Sequence, residues 1–170
     1  MYYEDVFSQL NSKKVRYLVV GGIAVNLYGV PRATMDLDLM VETSETNLSK
    51  LVAVLEELGY KPKVPVKASE LADPKKRRIW QEEKHMIVFS FIHLRLPYQQ
   101  IDIFLDNPMD FEEASKAKYI TAAKKIKIPL LSIDHLIKLK KELGREQDLA
   151  DVEALEKVKT VLGEGRSGER

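Results

Sequence analysis

Residues 18–40 read LVVGGIAVNLYGVPRATMDLDLM, and this stretch decides the fold. An apolar run, Leu18-Val19-Val20, stops at the pair Gly21-Gly22. A short apolar stretch, a proline-arginine turn and the tetrapeptide Asp36-Leu37-Asp38-Leu39 follow. Side chains alternate along a strand, so Asp36 and Asp38 share one face while Leu37 and Leu39 point into a core. Two carboxylates on one strand face raise each other's pKa unless a cation lies between them. Such a pair suits a hard divalent metal with oxygen ligands, and Mg²⁺ takes one or two carboxylates plus substrate phosphates.

The glycine pair supplies the other half of a site. Glycine lets a ligand approach the backbone closely. The stretch after it, residues 22–28, has helix-like apolar spacing, and the first N–H groups of a helix are unpaired and attract anions. Phosphate at one end and metal at the other is the chemistry this order of residues suggests. A glycine pair alone is only a turn, and Asp-x-Asp alone is only a polar strand. Their order and separation carry the signal.

Composition narrows the classes. With 170 residues, 45% of them hydrophobic and 31% charged, the chain reads as one globular domain. A net charge of +1 gives no bulk electrostatic case for nucleic acid. The absence of cysteine removes disulfides, thiol catalysis and cysteine zinc sites. His85, His93 and His135 lack the i, i+4 spacing of a helical zinc site. No apolar run approaches the ~20 residues of a membrane span, and the acidic start is unlike a secretory signal, so a cytoplasmic protein is expected.

Outward from the central stretch, apolar spacing predicts a packing helix over 2–13 and a strand over 15–20. A second strand is expected over 36–41, then a helix over 43–58 capped by Thr43 or Ser44 and ended by Gly59. Residues 61–78 carry seven positive and two negative side chains, a local charge of +5. They read as a cationic loop that either steers an anionic substrate or is a solvated insertion. Trp80 beside it either stacks on a base or belongs to the core. Residues 86–94 read as a central strand whose His93 is packed rather than catalytic. In 99–105 the order Ile101, Asp102, Ile103 sends the aspartate to the face opposite the isoleucines. A buried acid without a partner costs several kcal/mol, so Asp102 needs a partner or a metal. An edge strand and turn over 119–128 and helices over 132–143 and 147–162 complete the chain. The organisation expected is a single domain over 1–163, its core about 1–130 and its helix pair about 132–162, with a flexible tail over 164–170.

Gly-Gly, about a dozen residues, then Asp-Leu-Asp-Leu resembles the signature of the nucleotidyltransferase superfamily, the fold of DNA polymerase β and of small antibiotic-modifying nucleotidyltransferases. The fuller string is similar to the branch of abortive-infection toxin nucleotidyltransferases. That branch also carries a late pattern resembling Leu136-Ile137-Lys138-Leu139-Lys140, then Gly144-Arg145, Asp148 and Asp151. The match is strong over about 15–58, clear over 132–155 and only in outline between.

The resemblance implies an α+β fold, a mixed β-sheet with helices packed on one side and a C-terminal helix pair. It implies transfer of an NMP from ATP or another NTP to an acceptor, with release of pyrophosphate. Asp36 and Asp38 would hold two Mg²⁺ ions, Mn²⁺ being a substitute, and Asp102 would complete the metal site. Gly21 and Gly22 would cradle the triphosphate, with Arg32, Thr34 and Lys140 on the nucleotide side. Arg32 is either a bidentate phosphate ligand or a solvated turn residue. Lys140, Arg145, Asp148 and Asp151 either serve the triphosphate side or form an ion-pair network between the last helices. The acceptor is open among tRNA, protein and small molecule, and an antitoxin-like protein partner comes with the branch. Many superfamily members have Gly-Ser where this chain has Gly21-Gly22, so one hydroxyl contact is missing. The alternative is a nucleotide- or partner-binding module on the same fold. A phosphatase using Asp-x-Asp is disfavoured because residues 31–34, not an apolar strand, precede Asp36.

Overall fold

The computed structural model describes residues 2–167. Its centre is a mixed seven-stranded sheet of order β3-β4-β5-β2-β1-β7-β6. The strands are β1 (Tyr17–Val20), β2 (Leu37–Val41), β3 (Tyr60–Pro62), β4 (Val88–His93), β5 (Gln100–Phe104), β6 (Tyr119–Ala123) and β7 (Ile126–Leu130). The helices are α1 (Glu4–Ser12), α2 (Gly21–Leu27), α3 (Glu45–Glu57), α4 (Pro74–Lys84), α5 (Phe111–Lys116), α6 (Ile133–Leu143) and α7 (Glu146–Ser167). This is the α+β architecture expected. No helix among the described residues is long and apolar enough to cross a membrane.

The alternation of apolar residues sets the two faces of the sheet. Leu37, Leu39, Ile101, Ile103, Phe89 and Phe91 are fully buried. The register aligns them on one face, with Leu37 beside Ile101 and Leu39 beside Ile103, and Phe89 and Phe91 opposite Ile103 and Ile101. α1 covers this face through Phe7, stacked on Tyr17. α4 covers it through Trp80, whose ring lies 5.0 Å from that of Phe89. Each such side chain contributes about 1.5–3 kcal/mol on burial. The opposite face carries Asp38, Asp102 and Ser90 in one row across β2, β5 and β4. Leu136, Leu139 and Lys140 of α6 line one cavity with Asp38 and Asp102 of that row.

Most helix boundaries follow local signals. Ser44 caps α3 by accepting from the N–H of Asn47, and Ser132 caps α6 by accepting from that of His135. The expected cationic loop differs from what forms. Residues 68–72 make a 3-10 turn, and α4 begins at Pro74 with Asp73 as its cap. Aspartate followed by proline is a helix-start signal that the charge run masks. Several of the charges there are internally engaged: Arg77 donates to the carbonyls of Leu71 and Thr43, and Arg78 pairs with Glu82. Trp80, 7% exposed, is core, so it offers no face to a base. His93 Nδ1 accepts from the N–H groups of Arg95 and Leu96, a structural histidine as expected. α7 continues through Ser167, five residues beyond the predicted end, so the expected tail falls partly on it; residues 168–170 lie outside the described residues.

Candidate active site

Three chain segments meet at the carboxylate face of the sheet. β1 ends at Val20, which pairs with Asp38 of the antiparallel neighbour β2. The chain then turns through Gly21, whose φ of +65° lies in the left-handed region that side chains avoid. A Cβ on Gly21 would fall on the Oδ2 of Asp38, and one on Gly22 would sit 2.6 Å from the Oγ1 of Thr34. Both glycines are therefore required by close approach, Gly21 to the carboxylate and Gly22 to the 30–34 turn. Gly21→Ala is expected to lose about 1–2 kcal/mol from the backbone alone, with a further loss as Asp38 is displaced. Urea unfolding without divalent cations measures both together.

Asp102 lies on β5 directly beside Asp38 in the parallel register, on the same face, as the alternation requires. Asp36 immediately precedes β2 and is exposed. The three carboxylates line a 320 Å³ cavity with Gly21, Gly22, Arg32, Thr34 and Lys140. All eight residues singled out in the sequence thus border one space. Its apolar wall comes from Phe104, Leu136, Leu139 and Leu143.

Crowding shows in the acid–base properties. Burial, then the charges of Asp102 and Asp36, push the Asp38 carboxyl up from 3.8 to about 7, against the pull of Lys140 and Arg32. Asp36 is also raised, by burial and by Asp102, while Lys63 opposes the shift. An anionic cluster with so little compensating charge, built only from oxygen donors, has the chemistry of a Mg²⁺ site. Among the described residues, no three acidic or histidine side chains are yet gathered closely enough to hold an ion. Both oxygens of Asp102 accept from the Gln100 amide, at 3.0 and 3.2 Å. The donor set, carboxylate oxygens only, fits a hard divalent cation.

The cationic side is built by α6 and α7. Lys140, 3% exposed, donates from Nζ to Asp148 Oδ1 at 3.1 Å and pairs with Asp151 Oδ2 at 2.8 Å. Arg32 Nη1 bonds the same Oδ2 of Asp151, and Arg145 Nε bonds Asp148 Oδ2 at 2.6 Å. Burial raises the Asp148 carboxyl, but hydrogen bonds from Arg145 and Lys140 outweigh it and hold it below the ordinary range. The network between the helices is therefore real, and it extends to Arg32, which is neither solvated nor free. Arg32 Nε remains buried without a protein partner and lines the cavity, a donor suited to an anion.

Tyr3, expected only to pack, also supports the strands that carry the site. Its hydroxyl is shared between the carbonyls of Met35 and Gln100, joining the entries of the two aspartate-bearing strands. Burial raises this phenol to about 12, and the charges of Asp36, Asp102 and Asp38 add to the effect. Tyr3→Phe is expected to cost about 1 kcal/mol, the loss of one part-buried hydrogen bond, read as a lower melting temperature. No local pattern announces this role, because Met35 and Gln100 are distant in the chain.

Comparison with known proteins bears on the fold and the family. The chain is similar in fold to the lincomycin-bound lincosamide antibiotic adenylyltransferase LnuA, with TM-score 0.60 and 21% identity over 90% of this chain and 93% of that one. A putative nucleotidyltransferase from Thermotoga maritima aligns with TM-score 0.56 and 19% identity over 96% of this chain and 91% of its own. ANT(2'')-Ia in complex with adenylyl-2''-tobramycin aligns with TM-score 0.57 and 14% identity over 99% and 97% of the two chains. No curated protein matches the sequence. Residues 8–142 match the family described as Nucleotidyl transferase AbiEii toxin, Type IV TA system. With both aspartate-bearing strands, the glycine pair and nearly all of α6 inside that match, the chain belongs to the AbiEii nucleotidyltransferase family.

Proposed function

We propose that this protein transfers an NMP group from ATP or another NTP to an acceptor and releases pyrophosphate. In that reaction an acceptor oxygen bonds to the α-phosphorus, the bond from that phosphorus to the bridging oxygen breaks, and the pyrophosphate carries off the electron pair. Asp36, Asp38 and Asp102 would hold two divalent cations, and Asp102 would favour loss of the acceptor's proton. Bound Mg²⁺ or Mn²⁺ would supply Lewis-acid stabilisation of the entering and leaving oxygens. Gly21 and Gly22 would admit the triphosphate close to the backbone, with the hydroxyl of Thr34 and the unpartnered Nε of Arg32 beside it. Lys140 would act from behind: its ammonium is engaged by Asp148 and Asp151, yet its charge still reaches Asp38. The scarcity of histidine is no obstacle, because this chemistry rests on positioning and charge more than on protein acids and bases.

The observation that carries the reading is the cross-strand pairing of Asp38 with Asp102, beside a glycine that only an absent side chain allows. The fold neighbours LnuA and ANT(2'')-Ia are described with small antibiotics, and the family description names a toxin–antitoxin system. An acceptor and an antitoxin-like partner of this chain are therefore part of the proposal. A second reading, a nucleotide- or partner-binding module, is favoured by one observation: among the described residues, no three acidic or histidine side chains are gathered closely enough to hold an ion. The test is incubation of the protein with each α-labelled NTP, Mg²⁺ and cell lysate. Label on one macromolecule or metabolite, with pyrophosphate released, supports transfer. Nucleotide binding without labelled product for any NTP supports the module.

A further inference from the structure

The polar face of the sheet continues past Asp102, away from the glycine pair. Gln100 precedes Asp102 by two residues on β5, so both side chains leave the same face. Its Nε2 donates to Oδ1 of Asp102 at 3.0 Å and to Oδ2 at 3.2 Å. A carboxamide has one donating and one accepting end of nearly equal shape, so something must select which end meets the carboxylate. Lys63 does so: its Nζ donates to Gln100 Oε1 at 3.1 Å. An ammonium can only donate, so the amide oxygen faces Lys63 and the amide NH₂ faces Asp102. Lys63 is itself anchored, its backbone N–H donating to the carbonyl of Ser90 at 2.9 Å. Ser90 stands opposite Asp102 in the β4–β5 register. The three side chains therefore form a directed chain, Lys63 to Gln100 to Asp102.

We propose that Gln100, oriented by Lys63, is a positioning residue for Asp102, and that this relay sets the affinity of the carboxylate site for a divalent cation. The inference rests on the nucleotidyltransferase reading of that site. Three crowded carboxylates without a cation splay apart, and the one nearest a donor is captured by it. An amide that donates to both oxygens holds the Asp102 carboxylate on the working face, where one oxygen can keep the amide while the other turns toward an ion. Partners that orient ligating carboxylates in this way typically change metal affinity about ten- to a hundredfold when removed.

The experiment is titration with Mn²⁺, free ion being followed by electron paramagnetic resonance, on wild type, Gln100→Leu, Lys63→Met, Lys63→Arg and Asp38→Asn. No nucleotide is present, so the readout is independent of turnover. Gln100→Leu is expected to raise the Mn²⁺ dissociation constant about ten- to a hundredfold. Lys63→Met should raise it less, and Lys63→Arg should restore the wild-type value. Lys63 is exposed, so its variants are expected to melt with wild type, which separates positioning from a structural role; if Gln100→Leu does not fold, they carry the test alone. Affinities within about twofold of wild type in Gln100→Leu and Lys63→Met, with binding abolished in Asp38→Asn, overturn the relay and leave the metal site standing. Absence of Mn²⁺ binding by wild type overturns the site and the relay together.

Discussion

Asp38→Asn is expected to abolish nucleotidyl transfer while making the metal-free protein more stable. A carboxylate that supplies charge to a metal-stabilised transition state contributes several kcal/mol, so kcat should fall at least about 10³-fold. The stability effect has the opposite sign because the carboxyl of Asp38 is held near 7 by burial and by the neighbouring aspartates. The folded protein keeps this proton to higher pH than the unfolded chain, whose aspartate titrates near 3.8. The stability linked to protonated Asp38 is fully present below about pH 4 and is lost as the pH rises to about 7. At pH 8 wild type therefore carries an unfavourable buried charge that the asparagine variant lacks. A tenfold change in proton affinity is worth about 1.4 kcal/mol, and partial solvent access reduces the total, so the variant should gain about 2–3 kcal/mol there and little at pH 4. Urea unfolding in EDTA at both pH values measures this. An apo variant that melts well below wild type at pH 8 would mean that Asp38 is structural, and the catalytic assignment would fail.

The second large effect concerns α7. Asp151→Ala is expected to destabilise the fold by about 3–5 kcal/mol, the usual result of removing one partner from a buried ion pair. Asp151 is 2% exposed and serves two cations, the Lys140 ammonium and the Arg32 guanidinium. Without it Lys140 keeps only Asp148, and Arg32, with one nitrogen already unpartnered, loses its tether across the 119 residues that separate the pair. Arg145→Ala is the control: that side chain is 73% exposed, so its pair with Asp148 should be worth about 1 kcal/mol or less. Exchanging the charges of Arg145 and Asp148 does not isolate their pair, because Asp148 also accepts from Lys140. Chemical denaturation of the single variants is the measurement. If Asp151→Ala unfolds with wild type, the network is not structural, and Lys140 and Arg32 are free to serve the nucleotide directly.

Much of this was legible because the information was local. Strand alternation is a property of neighbouring residues, so Asp36-Leu37-Asp38 and Ile101-Asp102-Ile103 declared which side chains would share a face. The serine caps and the glycine stop of α6 are likewise written in a few adjacent positions. Residues 61–78 show where local reading failed: charge suggested a loop, whereas Asp73-Pro74 and the burial of Trp80 against Phe89 produce a helix. Propensity lost there to an apolar contact with a distant strand.

By itself, then, the sequence determined the inner strands that carry the aspartates, their faces, the glycine pair and the acidic character of the site. Only the tertiary structure decided that β5 pairs in parallel with β2, setting Asp102 beside Asp38 rather than on a remote strand. It also decided that Arg32 is anchored to α7, that Tyr3 bridges two strand entries, and that Lys63 turns the Gln100 amide toward Asp102. Alternation fixes the direction a side chain takes from its own backbone. Which partner it meets depends on register between segments far apart in the chain, and that is settled by packing of the whole core.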